Sequence, residues 1–171
     1  GRCANGLGLV GAVYADPYHS DLLFAGSNTG GLFRSLDGGQ HWENVTDDDL
    51  PLVTGIGSIV RDPLHPKRFY IGTGSSSFGR EYGLGVWRSE DEGISWEPTG
   101  LRFHPEKRDG VRASVKKLLI HPADPAILYA LVKDTRGASI YRTRDTARTW
   151  EQVLQVDGEF SPVILTDNAR D

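Results

Sequence analysis

Apolar and polar positions alternate along this chain in short runs, each broken by glycine, proline or aspartate. "LGLVGAVYADP", "GIGSIVRDP" and "SVKKLLIHP" keep a period of two, the spacing of a strand with one face buried. Each ends in a Pro-containing turn, "DPYHSD", "DPLHPK" or "HPADP", where proline presets φ and cannot continue a central strand. A second strand follows as "LLFAGS", "RFYIGT" or "ILYALV", and a segment of variable length leads to a third, "GLFRS", "GVWRS" or "SIYRT". A short polar turn then delivers a fourth strand beginning at tryptophan: "WENV", "WEPT" and "WEQVL". The pattern predicts four antiparallel strands, written three times.

The turn before the fourth strand repeats in register. Ser35, Asp37, Gly39 and Trp42 correspond to Ser89, Asp91, Gly93 and Trp96, and then to Thr143, Asp145, Ala147 and Trp150, so the third copy lacks the glycine. The three aspartates are spaced 54 residues apart. Serine, aspartate and a neighbouring amide also occur in catalytic sites, but a reactive constellation would not be copied three times, whereas a structural staple must be. Asp and Ser side chains accept hydrogen bonds from nearby N–H groups, glycine supplies positive φ, and tryptophan anchors the hairpin with an indole N–H that needs a partner.

Four antiparallel strands per unit at this period predict an all-β fold of β-propeller blades. The blades span 8–46, 54–100 and 112–155, and the first strand of a fourth lies at 159–171. Three blades and a strand do not close a ring of about four to eight. The expectation is therefore a partial propeller, with the rest of the ring or a partner chain covering the open blade edges.

In such blades the first and third turns share one end of the strands. The second turn and the crossover to the next blade share the other, so the variable segments collect there: "SNTG" (27–30), "TGSSSFGREYG" (73–83), "KDTRGA" (133–138), "TDDDLPLVTG" (46–55) and "RFHPEKRDGVRAS" (102–114). The ligand-binding candidates on that end are Asn28, Phe78, Arg80, Glu81, Tyr82, Asp109 and Arg112. Phe78 and Tyr82 can stack on a sugar ring or pack their own loop onto the rim. Asp47, Asp48 and Asp49 can hold a cation or simply be solvated, and their spacing matches no calcium loop. His104 has no histidine or cysteine at ligand spacing. Arg34, Arg88 and Arg142 keep the 54-residue interval of the boxes and belong to the architecture.

The motif S/T-x-D-x-G-x-x-W resembles the Asp-box, or BNR repeat, of sialidases, sortilin-like receptors, photosystem II assembly propellers and family 74 glycoside hydrolases. The resemblance covers nearly the whole chain and speaks for architecture more than for activity. "GLGLVGAVYADPYHSDLLFAGSNTGGLFRS" and "IGTGSSSFGREYGLGVWRSEDEGISW" are most similar to the N-terminal blades of the family 74 endoglucanases. That resemblance implies a catalytic base at an aspartate just before x-Gly-Gly in the first loop; this chain has Asn28 there. An amide cannot take a proton from water as a carboxylate does. The sialidase Arg-Ile-Pro motif is absent too. Asn28 is therefore a ligand-contacting residue without catalytic power, or a turn residue.

Composition narrows the function classes. Net charge is −4 with scattered Lys and Arg, which gives no nucleic-acid footprint. No apolar run reaches the ~20 residues of a membrane span. The single cysteine, Cys3, allows no internal disulfide; it is read as a free thiol or one that pairs outside this segment. The chain has no methionine, so it is expected to be processed, trimmed or a part of a longer chain. No residue pattern calls for a cofactor or a metal. The expected role is a non-catalytic propeller binding a protein or glycan through its variable loops. The alternatives are a glycoside hydrolase whose catalytic carboxylates lie outside this segment, or a structural domain of a large surface or secreted assembly. The resemblance implies a secreted, cell-surface or periplasmic setting.

Overall fold

The computed structural model describes residues 9–50, 55–74, 83–104 and 112–158; the strand expected at 159–171 lies outside them. The described residues form twelve strands and no helix. β1 (Val10–Ala15), β2 (Leu23–Ser27), β3 (Leu32–Ser35) and β4 (Glu43–Asn44) make the first antiparallel sheet. β5 (Ile56–Arg61), β6 (Phe69–Thr73), β7 (Gly85–Ser89) and β8 (Glu97–Arg102) make the second. β9 (Ala113–Ile120), β10 (Leu128–Asp134), β11 (Gly137–Thr143) and β12 (Glu151–Asp157) make the third. Every sheet is a meander in sequence order, as propeller blades are.

Alternation decides which side chain meets which neighbour. In β6, Phe69 and Ile71 join a core with Phe24, Leu32 and Ile56 of the first junction. Tyr70, between them, joins Val86, Val115, Leu118 and Leu128 at the second. The central sheet therefore buries both faces, one against each neighbour, and the hydrophobic core is two interblade layers. At the first, the rings of Tyr14 and Phe69 meet edge-on at 5.5 Å, and those of Phe24 and Phe69 lie tilted at 5.1 Å.

Two glycines set how closely the blades approach. A Cβ on Gly26 would lie 2.9 Å from Ile56 Cβ, and one on Gly72 would lie 2.6 Å from Val115 Cγ1. Each glycine in a second strand thus receives a β-branched side chain from the next blade's inner strand. In β10 the corresponding residue is Leu131. No blade follows the third among the described residues, and β12 leaves Val153, Leu154 and Val156 40–49% exposed.

Candidate functional site

The boxes occupy one end of the blades. Ser35 Oγ donates to Asp37 Oδ1 at 2.8 Å and accepts from Gly39 N at 2.9 Å. Ser89 repeats both contacts with Asp91 and Gly93 at 2.8 Å, and Thr143 repeats them with Asp145 and Ala147 at 2.8 and 3.1 Å. The aspartate then accepts from the backbone four residues on: His41 N, Ser95 N and Thr149 N, each at 2.9 Å. Gly38 N, Glu92 N and Thr146 N each donate to a carbonyl of the blade's first turn, which puts boxes and Pro turns at the same end. The hydroxyls are spent on turn geometry, each donating to its own box aspartate and accepting from a turn N–H.

Electrostatics agree. The His41 N–H and the His41 ring hold the Asp37 carboxyl well below the usual carboxylate range. Burial works against ionisation at Asp91, but hydrogen bonds from the Ser95 hydroxyl and N–H outweigh it and lower the value. The same two bonds from Thr149 bring Asp145 to about 2. These are carboxylates held ionised by donors, the reverse of a raised general acid.

The third box keeps its shape without glycine. The turn needs two successive residues at positive φ, supplied by Gly38 and Gly39, by Glu92 and Gly93, and by Thr146 and Ala147 at 61° and 65°. The tryptophans differ. Trp96 is buried at the first junction, whereas Trp42, with no blade before it among the described residues, is 39% exposed. Trp42 and Trp150 donate their indole N–H to Gly39 O and Ala147 O, while the buried Trp96 indole N–H has no partner among the described residues.

The opposite end carries the loop candidates. Ser27 closes β2, and its hydroxyl accepts from Thr29 N and Gly30 N. Asn28, half-buried, donates its N–H to Leu9 O at 2.9 Å. Its carboxamide oxygen lies over Gly11, where a Cβ would come within 2.4 Å. Thr73 closes β6 by donating to Gly85 O at 2.7 Å and accepting from Leu84 N at 2.8 Å. Asp134 closes β10 by accepting from Arg136 N and Gly137 N. Ser27, Thr73 and Asp134 pin the bases of the three loops, a role the sequence reading missed. Its signal is a Ser, Thr or Asp just before a glycine-containing turn. Phe78, Arg80, Glu81, Tyr82 and Asp109 lie outside the described residues; Arg112 is exposed beside β9.

Asp47 and Asp48 are exposed, but Asp49 turns back onto the neighbouring blade, where Oδ2 accepts from Trp96 N at 2.8 Å. Its carboxylate is a tie between blades. Among the described residues no three His, Cys, Asp or Glu side chains gather where they could hold a metal, and no helix is long and apolar enough to cross a membrane.

Box, blade and loop geometry now stand beside a match between residues 30–161 and the Sortilin-Vps10 family, described as "Sortilin, neurotensin receptor 3". The chain belongs to that family. A xyloglucanase from Paenibacillus sp is 29% identical over 154 residues, 86% of this chain and 15% of that protein. Xyloglucanase Xgh74A of Acetivibrio thermocellus is 30% identical over 160 residues, 86% of this chain and 18% of that protein. This member of the Sortilin-Vps10 family therefore spans less than a fifth of the xyloglucanases it matches. An ancestral GH74 enzyme superposes on 90% of the chain with a TM-score of 0.67 at 20% identity, using 19% of its own length. YCF48 bound to a D1 peptide superposes on 90% with a TM-score of 0.56 at 18% identity, using 43% of its length. At those identities the superpositions establish the fold: this is a stretch of an Asp-box propeller.

Proposed function

We propose that this chain supplies three blades of a propeller whose loop end binds a glycan, and that the segment holds the ligand without cleaving it. Asn28 carries the reading. It sits at the end of β2, fixed by Leu9 and Gly11, where the family 74 resemblance implies the catalytic aspartate. A carboxamide donates and accepts hydrogen bonds to sugar hydroxyls but does not take a proton from water. The xyloglucanase relatives favour a glycan over a protein as the ligand, and the proposal includes a secreted, cell-surface or periplasmic setting.

The open face of the third blade calls for a further blade. Arg34 and Arg88 each donate NH1 to a box carbonyl of the following blade, Glu92 O at 2.9 Å and Thr146 O at 3.3 Å. Arg142, third in the series, meets only residues of its own blade in the described contacts, Glu151 among them. Because the chain spans 15–18% of the xyloglucanases it matches, a second reading places catalytic carboxylates in blades beyond this segment.

The test is to add xyloglucan oligosaccharides to the protein, following amide shifts at Asn28, Gly30 and Arg112 together with the release of reducing ends. Saturable shifts without release are expected. Sustained release would establish the hydrolase reading, and unchanged loop amides would overturn the glycan ligand. Asn28→Asp sharpens the outcome: binding retained with hydrolysis gained would make the carboxamide the missing element.

A further inference from the structure

A polar cleft of about 450 Å³ lies between β8 and the Asp-box turn of the third blade. The two blades come closest at Gly100. The Gly100 N–H donates to Ala147 O at 3.0 Å, and a Cβ there would lie 2.1 Å from Arg148 O. The two backbones are thus nearly in contact at one point, and Arg88, Arg102 and Arg148 all line the space beside it.

The charges in the cleft do not balance. Arg88 forks onto Glu97, the one carboxylate in the lining. Arg102 gives Nε to Thr99 O, and neither Arg102 nor Arg148 has a carboxylate partner among the described residues. Both are exposed. The first junction handles the same region differently. There residues 46–50 fold over the neighbouring box, and Asp49 brings a carboxylate of the chain's own to Trp96 N. At the second junction, among the described residues, Glu97 is taken up by Arg88 and no other carboxylate reaches Arg102 or Arg148.

We propose that this cleft is a binding site for an oxyanion group of a small ligand, a carboxylate, sulfate or phosphate, held by Arg102 and Arg148. A planar guanidinium offers paired N–H donors that match two oxygens of such a group. The volume falls within the range of small-molecule sites and exceeds a single ion, so the anionic group is expected to be part of a larger molecule. Glu97 turns Arg88 away and leaves the other two free to grip. Arg102, the last residue of β8, opens the crossover toward the loop end, but neither Asn28 nor its loop lines the cleft, so the two readings can fail separately.

The experiment is a titration of the 171-residue protein with sodium pyrophosphate at constant ionic strength, reading amide shifts of Gly100, Arg102, Ala147 and Arg148. A parallel titration uses glucuronate, and the tighter of the two identifies the head group. Saturable shifts confined to the cleft are expected. Arg102→Ala and Arg148→Ala should each weaken binding about tenfold, the scale of one charge-assisted contact. Arg136→Ala, an exposed arginine elsewhere, should leave it unchanged. Shifts that rise linearly without saturation, or that fall equally in the Arg136 variant, would overturn the site and leave only diffuse attraction to arginines. Arg102→Gln covers the case of a misfolded alanine variant, since it keeps part of the aliphatic stem and a polar end while removing the guanidinium and its charge.

Discussion

At the first blade junction, Asp16 of one sheet meets Arg61 of the next, both side chains almost wholly buried, with Arg61 stacked over Tyr18 and Phe69. At the second, the equivalent positions are Asp62 and Ile120. Asp62 turns back to Arg68 of its own blade at 3.0 Å, and Ile120 packs against the core. Asp49 adds a second polar tie at the first junction; the second has the arginine cleft instead. Of these polar ties, the arginine clamp onto the next box is the one common to both. A repeat thus conserves the blade and the box while leaving the joint free to vary, because each joint is solved locally between two neighbours.

The largest expected effect comes from closing the gap that the second junction requires. Gly100→Ala would put a methyl 2.1 Å from Arg148 O, and backbone cannot step aside as a side chain can. A loss of about 2 kcal/mol is expected, within the range for overpacking, and is read as a lower midpoint in urea. Thr46, at the matching place in the first junction, already carries a side chain, which accepts from Leu32 N and donates to Asn44 Oδ1. Thr46→Ala should cost about 1 kcal/mol, the scale of a lost hydrogen bond. If the two variants were equally mild, close approach would not be what distinguishes the joints.

The clamps come next, and they grade the comparison across three positions. Arg34, 8% exposed, makes the shorter bond to its neighbour's box. Its replacement by alanine should cost about 2 kcal/mol, and that of Arg88, longer and wetter, about 1 kcal/mol. Arg142→Ala should leave the stability of this 171-residue chain unchanged. An equal loss at all three would show that the intrablade ion pairs with Glu43, Glu97 and Glu151 carry the effect.

The strands and boxes were legible in the sequence because both rest on local rules. Alternation marks a half-buried strand, and Ser-x-Asp-x-Gly fixes a turn from within four residues. Even Ala147, which breaks the glycine pattern, follows the register of its neighbours. The joints were not legible. Asp49 read as one of three solvated aspartates, yet it bonds 47 residues away. Asp16 read as a turn residue, and it caps its turn through Tyr18 N and His19 N, but nothing in "ADPYHS" points to Arg61. Asn28 was found through family resemblance, and the loop-base residues Ser27, Thr73 and Asp134 of the three blades were missed because a capping hydroxyl or carboxylate resembles any other polar loop residue.

The smallest and most local effect is expected in acid, where the two junctions should part company. Burial alone would raise the Asp16 carboxyl, but N–H bonds from Tyr18 and His19 and the Arg61 guanidinium outweigh it and hold the group below its ordinary value near 3.8. A carboxyl depressed in the fold contributes stability above its unfolded value, and that contribution is lost as pH falls through the folded one. The box aspartates are depressed as well, but they serve every blade and weaken all of them together. Asp16 is the one that bridges blades. Lowering the pH from 7 to below 3.8 should therefore reduce protection of the Tyr18, His19 and Arg61 amides, taken against the intrinsic exchange rate at each pH, before it does so at Ile120 and Leu128, neighbours in the third blade that face the apolar core of the second junction. Asp16→Asn should remove that difference while keeping the turn, since a carboxamide oxygen still accepts from both N–H groups. Protection that fell in step at both joints in the unaltered protein would mean that acid acts through the boxes alone, and that the Asp16–Arg61 pair contributes no more than the packing around it.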